Sequence, residues 1–228
     1  MWWLTHRHDH RTSNPWPRRF LAAVAHISGA RIETTGEFPR RGVVILANHV
    51  SWLDIPILSA TTGTAFVAHS GLTSSPLVGW LCTLNDTVFV ARHDRRSVHR
   101  QVEQVREALS EMGALTIFPE GTTSDGTQLL PFKSSLLSSL DPPPSGIVVQ
   151  PVWLDYGPDS ASIAWVGEEH GVRNVLRILA RTQPLPVKVH FLSPLPPAEL
   201  GSRKAIAAYA QHSIAEAIKH ARTGHSAA

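Results

Sequence analysis

The chain has 228 residues, of which 43% are hydrophobic and 17% charged, and its formal net charge is +3 at pH 7. This composition excludes a disordered polypeptide, and the length suits one domain with a substantial core. The single cysteine, Cys82, excludes both an internal disulfide and a zinc site built from paired cysteines. No apolar run approaches the roughly 18 to 20 residues that a membrane-spanning helix requires.

The positive charge is concentrated at the N-terminus. Residues 1–42 contain seven arginines and three carboxylates, a net charge of +4, whereas the remainder has a net charge of −1. We predict a flexible polar tail over residues 1–14, without a signal-peptide pattern, and a basic interfacial helix with a linker over residues 15–42. Aromatic side chains beside arginines, as at Trp16 and Phe20, are typical of a helix on an anionic membrane; a helix packed on the domain fits equally well.

Residues 43–228 alternate between strand-like and helix-like segments. Short runs rich in Val, Ile and Phe predict strands at Val43–Ala47, Ala65–Ala68, Thr87–Ala91, Leu115–Phe118, Ile147–Leu154, Ser162–Val166 and Val187–Phe191. Helical spacing predicts helices at Ser51–Ser59, Pro76–Leu81, Arg95–Met112, Val172–Ala180 and Arg203–Ala221, with a turn or two after Phe132. We therefore predict a single α/β domain, with a mixed, mostly parallel sheet flanked by helices.

The segment Asn48-His49-Val50-Ser51-Trp52-Leu53-Asp54 follows the first of these strands. Residues five apart inside one helix point away from each other, so His49 and Asp54 meet only if His49 lies in the turn before the helix. A capping-box pattern places Ser51 at the N-cap and Asp54 at the third helical position. The pair then forms a His–carboxylate dyad in which one ring nitrogen takes a proton from a hydroxyl. The alternative to a dyad is purely structural: Asp54 only caps the helix and His49 is only a turn residue.

Two further segments bring polar side chains to the ends of predicted strands. Arg92 follows the strand Thr87–Ala91, and Glu120 follows Leu115–Phe118 in the turn Pro119-Glu120-Gly121-Thr122-Thr123. The carboxyl ends of strands in an open α/β sheet form the usual ligand-binding edge, so we expect these groups to lie near His49. The chain has no G-x-S-x-G nucleophile elbow, which favours a substrate hydroxyl as the nucleophile.

These motifs resemble the glycerolipid acyltransferase family, which includes the 1-acylglycerol-3-phosphate acyltransferases. The similarity covers about residues 40–200, through "NHVSWLD", "GWLCTLNDTVFVAR", "FPEGTTSDG" and "IVVQPVWL". The resemblance implies that His49 is the general base, that Asp54 orients it, and that an acyl thioester is the donor. It also implies a set of residues that bind the acceptor head group: Arg92, Glu120, Gly121, Thr122, Thr123 and Lys133.

Two departures from the family pattern concern the acceptor. The family carries Arg at the position of Thr123 and often Lys at the position of His69, so this chain has less positive charge near the expected anion site. The resemblance implies acyl transfer to 1-acylglycerol-3-phosphate, which yields phosphatidate. The alternative is transfer to lyso-ornithine lipid or another lyso-lipid.

The remaining predictions concern partners and location. We expect acyl-CoA or acyl carrier protein as donor, no metal, no cofactor and no nucleic acid. We also expect peripheral or monotopic attachment at the cytoplasmic face of the inner membrane. Two other classes of protein fit parts of the pattern: a membrane-binding module without activity, against which the intact His49–Asp54 pair argues, and a lipid hydrolase that uses the same pair on water.

Overall fold

The computed structural model describes residues 16–39, 41–69, 88–90, 113–141 and 143–225, together with the helical positions 103, 106, 107 and 109. Arg92, the predicted tail over residues 1–14 and the predicted helix Pro76–Leu81 lie outside the described residues, as does most of the predicted helix Arg95–Met112. None of the helices in the described ranges combines the length and apolar character needed to cross a membrane.

The described strands form one seven-stranded sheet in the order β1-β7-β6-β2-β5-β3-β4. They are β1 (Ala30–Thr35), β2 (Val43–Ala47), β3 (Ala65–His69), β4 (Val88–Val90), β5 (Ala114–Ile117), β6 (Val148–Asp155) and β7 (Leu185–Phe191). Neighbouring strands are parallel except for the antiparallel pair β6 and β7. The carboxyl ends of β2, β5 and β6 therefore meet at one edge of the sheet, which is also the edge where β1 and β7 begin.

Helices cover both faces of this sheet. The described α-helices are α1 (Trp16–Ile27), α2 (Asp54–Thr62), α3 (Ser160–Ile163), α4 (Gly171–Leu179) and α5 (Arg203–His225); 3₁₀ turns span Ser134–Leu140, Gly157–Asp159 and Pro197–Gly201. Alternate residues of β2 enter two separate cores, because successive side chains of a strand point to opposite faces. One core joins β2 to α1, α2, α3 and α4, and the other joins it to α5 and the turn Ser134–Leu140.

The predicted α/β fold with a mixed, mostly parallel sheet is confirmed, and an N-terminal helix is present as α1. The predicted strand Ser162–Val166 is wrong, because the 3₁₀ turn at Gly157–Asp159 continues directly into α3 and Ser160 Oγ donates to the Gly157 carbonyl at 2.9 Å. The predicted linker within residues 15–42 contains β1, which pairs in parallel with β7 and extends the sheet.

Candidate active site

The turn between β2 and α2 brings His49 and Asp54 into contact. The His49 Nδ1 to Asp54 Oδ2 distance is 2.7 Å, and the Asp54 carboxylate is buried whereas the His49 side chain is 19% exposed. Helix α2 begins at Asp54, so Asp54 is its first residue rather than its third, and the predicted start at Ser51 is wrong. One hydrogen bond of the predicted capping box is nevertheless present, because the Ser51 N–H donates to Asp54 Oδ2 at 3.0 Å.

Four hydrogen-bond donors surround the Asp54 carboxylate. Oδ2 accepts from the Val50 and Ser51 N–H groups at 2.7 and 3.0 Å and faces the His49 ring, and Oδ1 accepts from the Tyr156 hydroxyl. A buried carboxylate requires this compensation, since an unpaired charge in the core is strongly unfavourable. With the Asp54 carboxylate as acceptor, His49 Nδ1 carries the proton and Nε2 is left to accept one.

The imidazole is also held by its backbone and by ring stacking. The His49 N–H donates to Glu120 Oε1 at 2.8 Å, and the His49 carbonyl accepts from the Ser124 N–H at 2.7 Å. The ring stacks on Phe118 with centroids 4.0 Å apart. His49 thus has little conformational freedom, while 19% of its side chain remains exposed.

Glu120 lies fully buried after β5 and uses both carboxylate oxygens on backbone donors. Oε1 accepts from the His49 N–H, and Oε2 accepts from the Leu130 N–H at 3.0 Å. Burial raises the pKa of Glu120 to about 7, although the two backbone hydrogen bonds and the nearby His49 oppose the shift. These contacts join β5 to the dyad and fix the loop that follows, whereas contact of Glu120 with a head group stays a prediction.

The other predicted head-group residues lie around the turn that begins at Pro119. Gly121 has φ of 69°, and a Cβ there would lie 2.9 Å from Leu136 Cδ1 and 3.4 Å from Lys133 Nζ, so glycine lets the lysine ammonium lie against the turn. Thr122 is exposed. The Thr123 hydroxyl donates to the Trp165 carbonyl. Contact of these residues with substrate stays a prediction.

Two residues at this edge were missed by sequence reasoning. The Asn48 side chain exchanges two hydrogen bonds with the Leu154 backbone, which extends the pairing of β2 with β6 beyond Ala47. Tyr156 follows β6 directly and is buried; burial and the adjacent Asp54 charge raise the pKa of its phenol well above the ordinary value, so it remains a donor. A polar residue just after the carboxyl end of the fifth predicted strand, Ile147–Leu154, was the available signal for Tyr156.

The raised pKa of Glu120 should make the stability of the protein depend on pH. Its pKa of about 7 in the folded protein exceeds its ordinary value of 4.5, so between these values the folded state binds more protons than the unfolded state. The free energy of unfolding should therefore fall as pH rises from about 5 to 7, by an amount on the order of 3 kcal/mol from this group. Melting temperatures of the wild type and Glu120→Gln, compared from pH 5 to 8, measure this contribution. Parallel curves for the two proteins would contradict the prediction.

Tyr156→Phe should slow turnover, because Asp54 loses the hydroxyl that helps to position it, while the aromatic ring at position 156 keeps its packing. The variant leaves Asp54 Oδ1 without its hydroxyl donor, and we expect a loss of about 1–3 kcal/mol in stability and a roughly tenfold lower kcat. KM should be unchanged, because a residue that positions the dyad does not contact substrate. Tyr209→Phe, at the other tyrosine of the chain, is the control. Equal kcat for the two variants would leave Tyr156 with a purely structural role.

Comparison with known proteins identifies the family. The family model described as Acyltransferase matches residues 30–155. A lyso-ornithine lipid O-acyltransferase from Pseudomonas aeruginosa is 32% identical over 213 residues, which cover 91% of this chain and 78% of that protein. A lyso-ornithine lipid O-acyltransferase from Rhizobium meliloti is 40% identical over 151 residues, 61% of this chain but only 52% of that protein. A 1-acyl-sn-glycerol-3-phosphate acyltransferase from Neisseria gonorrhoeae is 34% identical over 178 residues, covering 76% of this chain and 68% of that protein.

A solved structure shares the fold. The crystal structure of the 1-acyl-sn-glycerophosphate (LPA) acyltransferase from Thermotoga maritima matches with a TM-score of 0.64 at 21% sequence identity, covering 91% of this chain and 78% of that chain. The family model covers more than half of the chain, and the P. aeruginosa relative aligns along most of it. The chain therefore belongs to the acyltransferase family, and the protein is an acyltransferase.

Proposed function

We propose that this acyltransferase moves an acyl chain from an acyl thioester to the free hydroxyl of a lyso-lipid, with His49 and Asp54 as its catalytic pair. The observation that carries the proposal is the 2.7 Å contact between His49 Nδ1 and the buried Asp54 carboxylate at the carboxyl edge of the sheet. A partly exposed imidazole whose tautomer is fixed in this way is suited to general-base chemistry on a hydroxyl.

The proposed reaction needs no covalent intermediate on the protein. His49 Nε2 accepts the proton of the acceptor hydroxyl while the hydroxyl oxygen forms a bond to the thioester carbonyl carbon. The carbon–sulfur bond then breaks, and the imidazolium returns the proton to the departing thiolate, which leaves as a free thiol. Asp54 stabilises the positive charge that the ring carries between these steps, and Glu120 keeps the ring in place through the His49 N–H.

We infer that lyso-ornithine lipid is the preferred acceptor. Relatives from four bacteria carry the name lyso-ornithine lipid O-acyltransferase, and two of them align with more than 90% of this chain at 30 to 32% identity. An ornithine head group bears one carboxylate and one ammonium, so it needs less positive charge from the protein than a phosphate monoester. Thr123 in place of the family arginine fits that requirement, with Lys133 beside Gly121 as a cation for a carboxylate.

Lysophosphatidate is the second candidate acceptor. The resemblance of the sequence motifs to the glycerolipid acyltransferase family, taken by itself, implied this acceptor. The N. gonorrhoeae relative is named for that reaction and aligns with 76% of this chain. Acyl-CoA and acyl carrier protein are both compatible donors under the proposal. Attachment to a membrane is part of the same proposal, because both acceptors are lipids, and the cytoplasmic face stays the predicted side.

Purified protein supplied with an acyl thioester and equimolar lyso-ornithine lipid and lysophosphatidate tests this proposal. Mass spectrometry of the lipids should show acylated ornithine lipid as the larger product. Phosphatidate as the dominant product would overturn the inferred preference but not the reaction class. Thioester cleavage that yields only free fatty acid would instead identify a hydrolase and overturn the reaction class.

The replacement of the family arginine by Thr123 gives a prediction about acceptor choice. Thr123→Arg should raise the ratio of phosphatidate to acylated ornithine lipid by about tenfold or more, because bidentate charge-assisted hydrogen bonds favour phosphate. The same competition assay measures this ratio. Thr223→Arg adds the same charge at an exposed position of α5 and should leave the ratio unchanged. An equal ratio for both variants would show that position 123 does not select the acceptor.

A further inference from the structure

Helix α4 has an apolar stripe that faces solvent. Val172, Leu176 and Leu179 are all exposed, Leu176 by 61%. At 100° per residue they fall within about 60° of one another, so they form one stripe along the helix. The buried side of α4 is a different one, made by Asn174 and Ile178. Single apolar residues scattered over a protein surface are ordinary, whereas apolar residues in line along one helix form a contiguous patch of the kind that marks an interaction site.

Helix α1 carries a matching stripe on the same side of the sheet. Trp16, Phe20, Ala23 and Ile27 are exposed and recur at helical spacing, and Ile27 is 72% exposed. Both α1 and α4 contribute their inner residues to the same core, whereas α5 packs on the opposite face. The two stripes therefore belong to one side of the molecule.

The register of the strands places the ends of both helices at the edge that holds the dyad. Asp155 near the end of β6 pairs with Lys188 near the start of β7, so β7 begins at the edge where β6 ends. Helix α1 leads into β1 and α4 leads into β7, and the Leu185 N–H donates to the Gly29 carbonyl at 2.9 Å. The two apolar stripes thus run up to the same edge as His49.

The charges on these helices fit an anionic lipid surface. Helix α1 has Arg18 and Arg19 and no carboxylate, and α4 has Arg173 and Arg177 and no carboxylate. Glu169 pairs with Arg177 at 2.8 Å. At 100° per residue Arg173 lies about 90° from the middle of the apolar stripe, whereas Arg177 lies about 130° from it and is held by Glu169. Arg173 is therefore the arginine of α4 that flanks the stripe, as in a helix that lies in a membrane interface.

We propose that α4 is a second membrane-binding element, which inserts Val172, Leu176 and Leu179 into the bilayer beside α1 and holds the dyad edge of the sheet against the lipid surface. The inference rests on the proposed function only in taking a bilayer as the partner, because a lyso-lipid acceptor resides there. It goes beyond the N-terminal helix that the sequence predicted as interfacial.

Co-sedimentation of the full chain with vesicles of phosphatidylglycerol and phosphatidylethanolamine, without lyso-lipid or thioester, tests this proposal. Leu176→Glu should weaken binding by about tenfold or more, since a leucine side chain is then replaced by a charge at the interface. Leu176→Ser, which adds no charge, should weaken binding less. Ala215→Glu places the same charge at an exposed position of α5, on the opposite face, and should bind like the wild type.

Three results would overturn the proposal. The first is wild-type vesicle binding by Leu176→Glu while Phe20→Glu in α1 loses it, which would leave α1 as the membrane contact. The second is a change in oligomeric state of Leu176→Glu with unchanged vesicle binding, which would assign the stripe to self-association. The third is an equal loss in Leu176→Glu and Ala215→Glu, which would reflect net charge alone. Because binding is measured without turnover, absence of acyl transfer would refute the proposed function without altering this result.

Discussion

His49→Ala should lower the rate of acyl transfer by about 10²- to 10⁴-fold, the range expected when a positioned general base is removed. The acceptor hydroxyl then loses the group that takes its proton as it attacks the thioester. Initial rates of thiol release and ester formation, measured with a lyso-lipid acceptor, give the change directly. The fold should survive, because the ring is partly exposed and its main packing contact is the stack on Phe118.

His212→Ala is the matched control for this variant. His212 is an exposed histidine of α5 on the opposite face of the sheet, so its loss should leave the rate unchanged. The free energy of unfolding of His49→Ala should be lower than that of the control by about 1–3 kcal/mol, because the stack on Phe118 and one hydrogen bond to the buried Asp54 carboxylate are lost. Activity of His49→Ala within tenfold of the wild type would show that His49 is not the base.

Asp54→Asn should reduce the rate by about 10²- to 10⁴-fold through loss of control over the His49 tautomer. The amide nitrogen of asparagine donates where a carboxylate oxygen accepts. If the introduced amide turns its nitrogen toward His49 Nδ1, the ring proton moves to Nε2, which then cannot accept one from a hydroxyl. The substitution should also cost about 1–3 kcal/mol in stability, since the Val50 and Ser51 N–H groups share the oxygen that is replaced.

The effects of Asp54→Asn on rate and on stability distinguish a catalytic role of Asp54 from a role in capping α2. Asp141→Asn, at an exposed aspartate, controls for the loss of one negative charge and should change neither rate nor melting temperature. A lower melting temperature with an unchanged rate would make Asp54 only the start of α2. A lower rate at a temperature where the variant is fully folded would support its role in orienting His49.

Local patterns in the sequence were sufficient to predict the dyad. A strand, a turn and a helix start within twelve residues require His49 and Asp54 to meet, and the structure joins them at 2.7 Å. The placement of Glu120 followed from the rule that parallel strands end at one edge, because β5 is the direct neighbour of β2. These predictions needed only short-range geometry and strand direction.

Other parts of the site depend on register between distant segments, which local patterns do not specify. Tyr156 reaches Asp54 across 102 residues of sequence, because β6 pairs with β2 on the side opposite β5. The strand β1 is mostly exposed and, among the described strands, pairs with β7 alone, so its residues lacked the apolar signature of a buried strand. The segment that contains Trp165 was predicted as a strand because of its residues with high β-propensity. That propensity alone does not distinguish a strand from a short segment that folds as a turn and helix.

The central claim is that His49 activates the acceptor hydroxyl and never carries the acyl group. Intact-protein mass spectrometry, after rapid mixing of the enzyme with acyl thioester in the absence and presence of lyso-lipid, tests it most directly. We predict an unmodified protein mass in both samples, with ester product and free thiol only when the acceptor is present. A stoichiometric mass increase of one acyl group before acceptor is added, and its loss when acceptor is added, would contradict the claim.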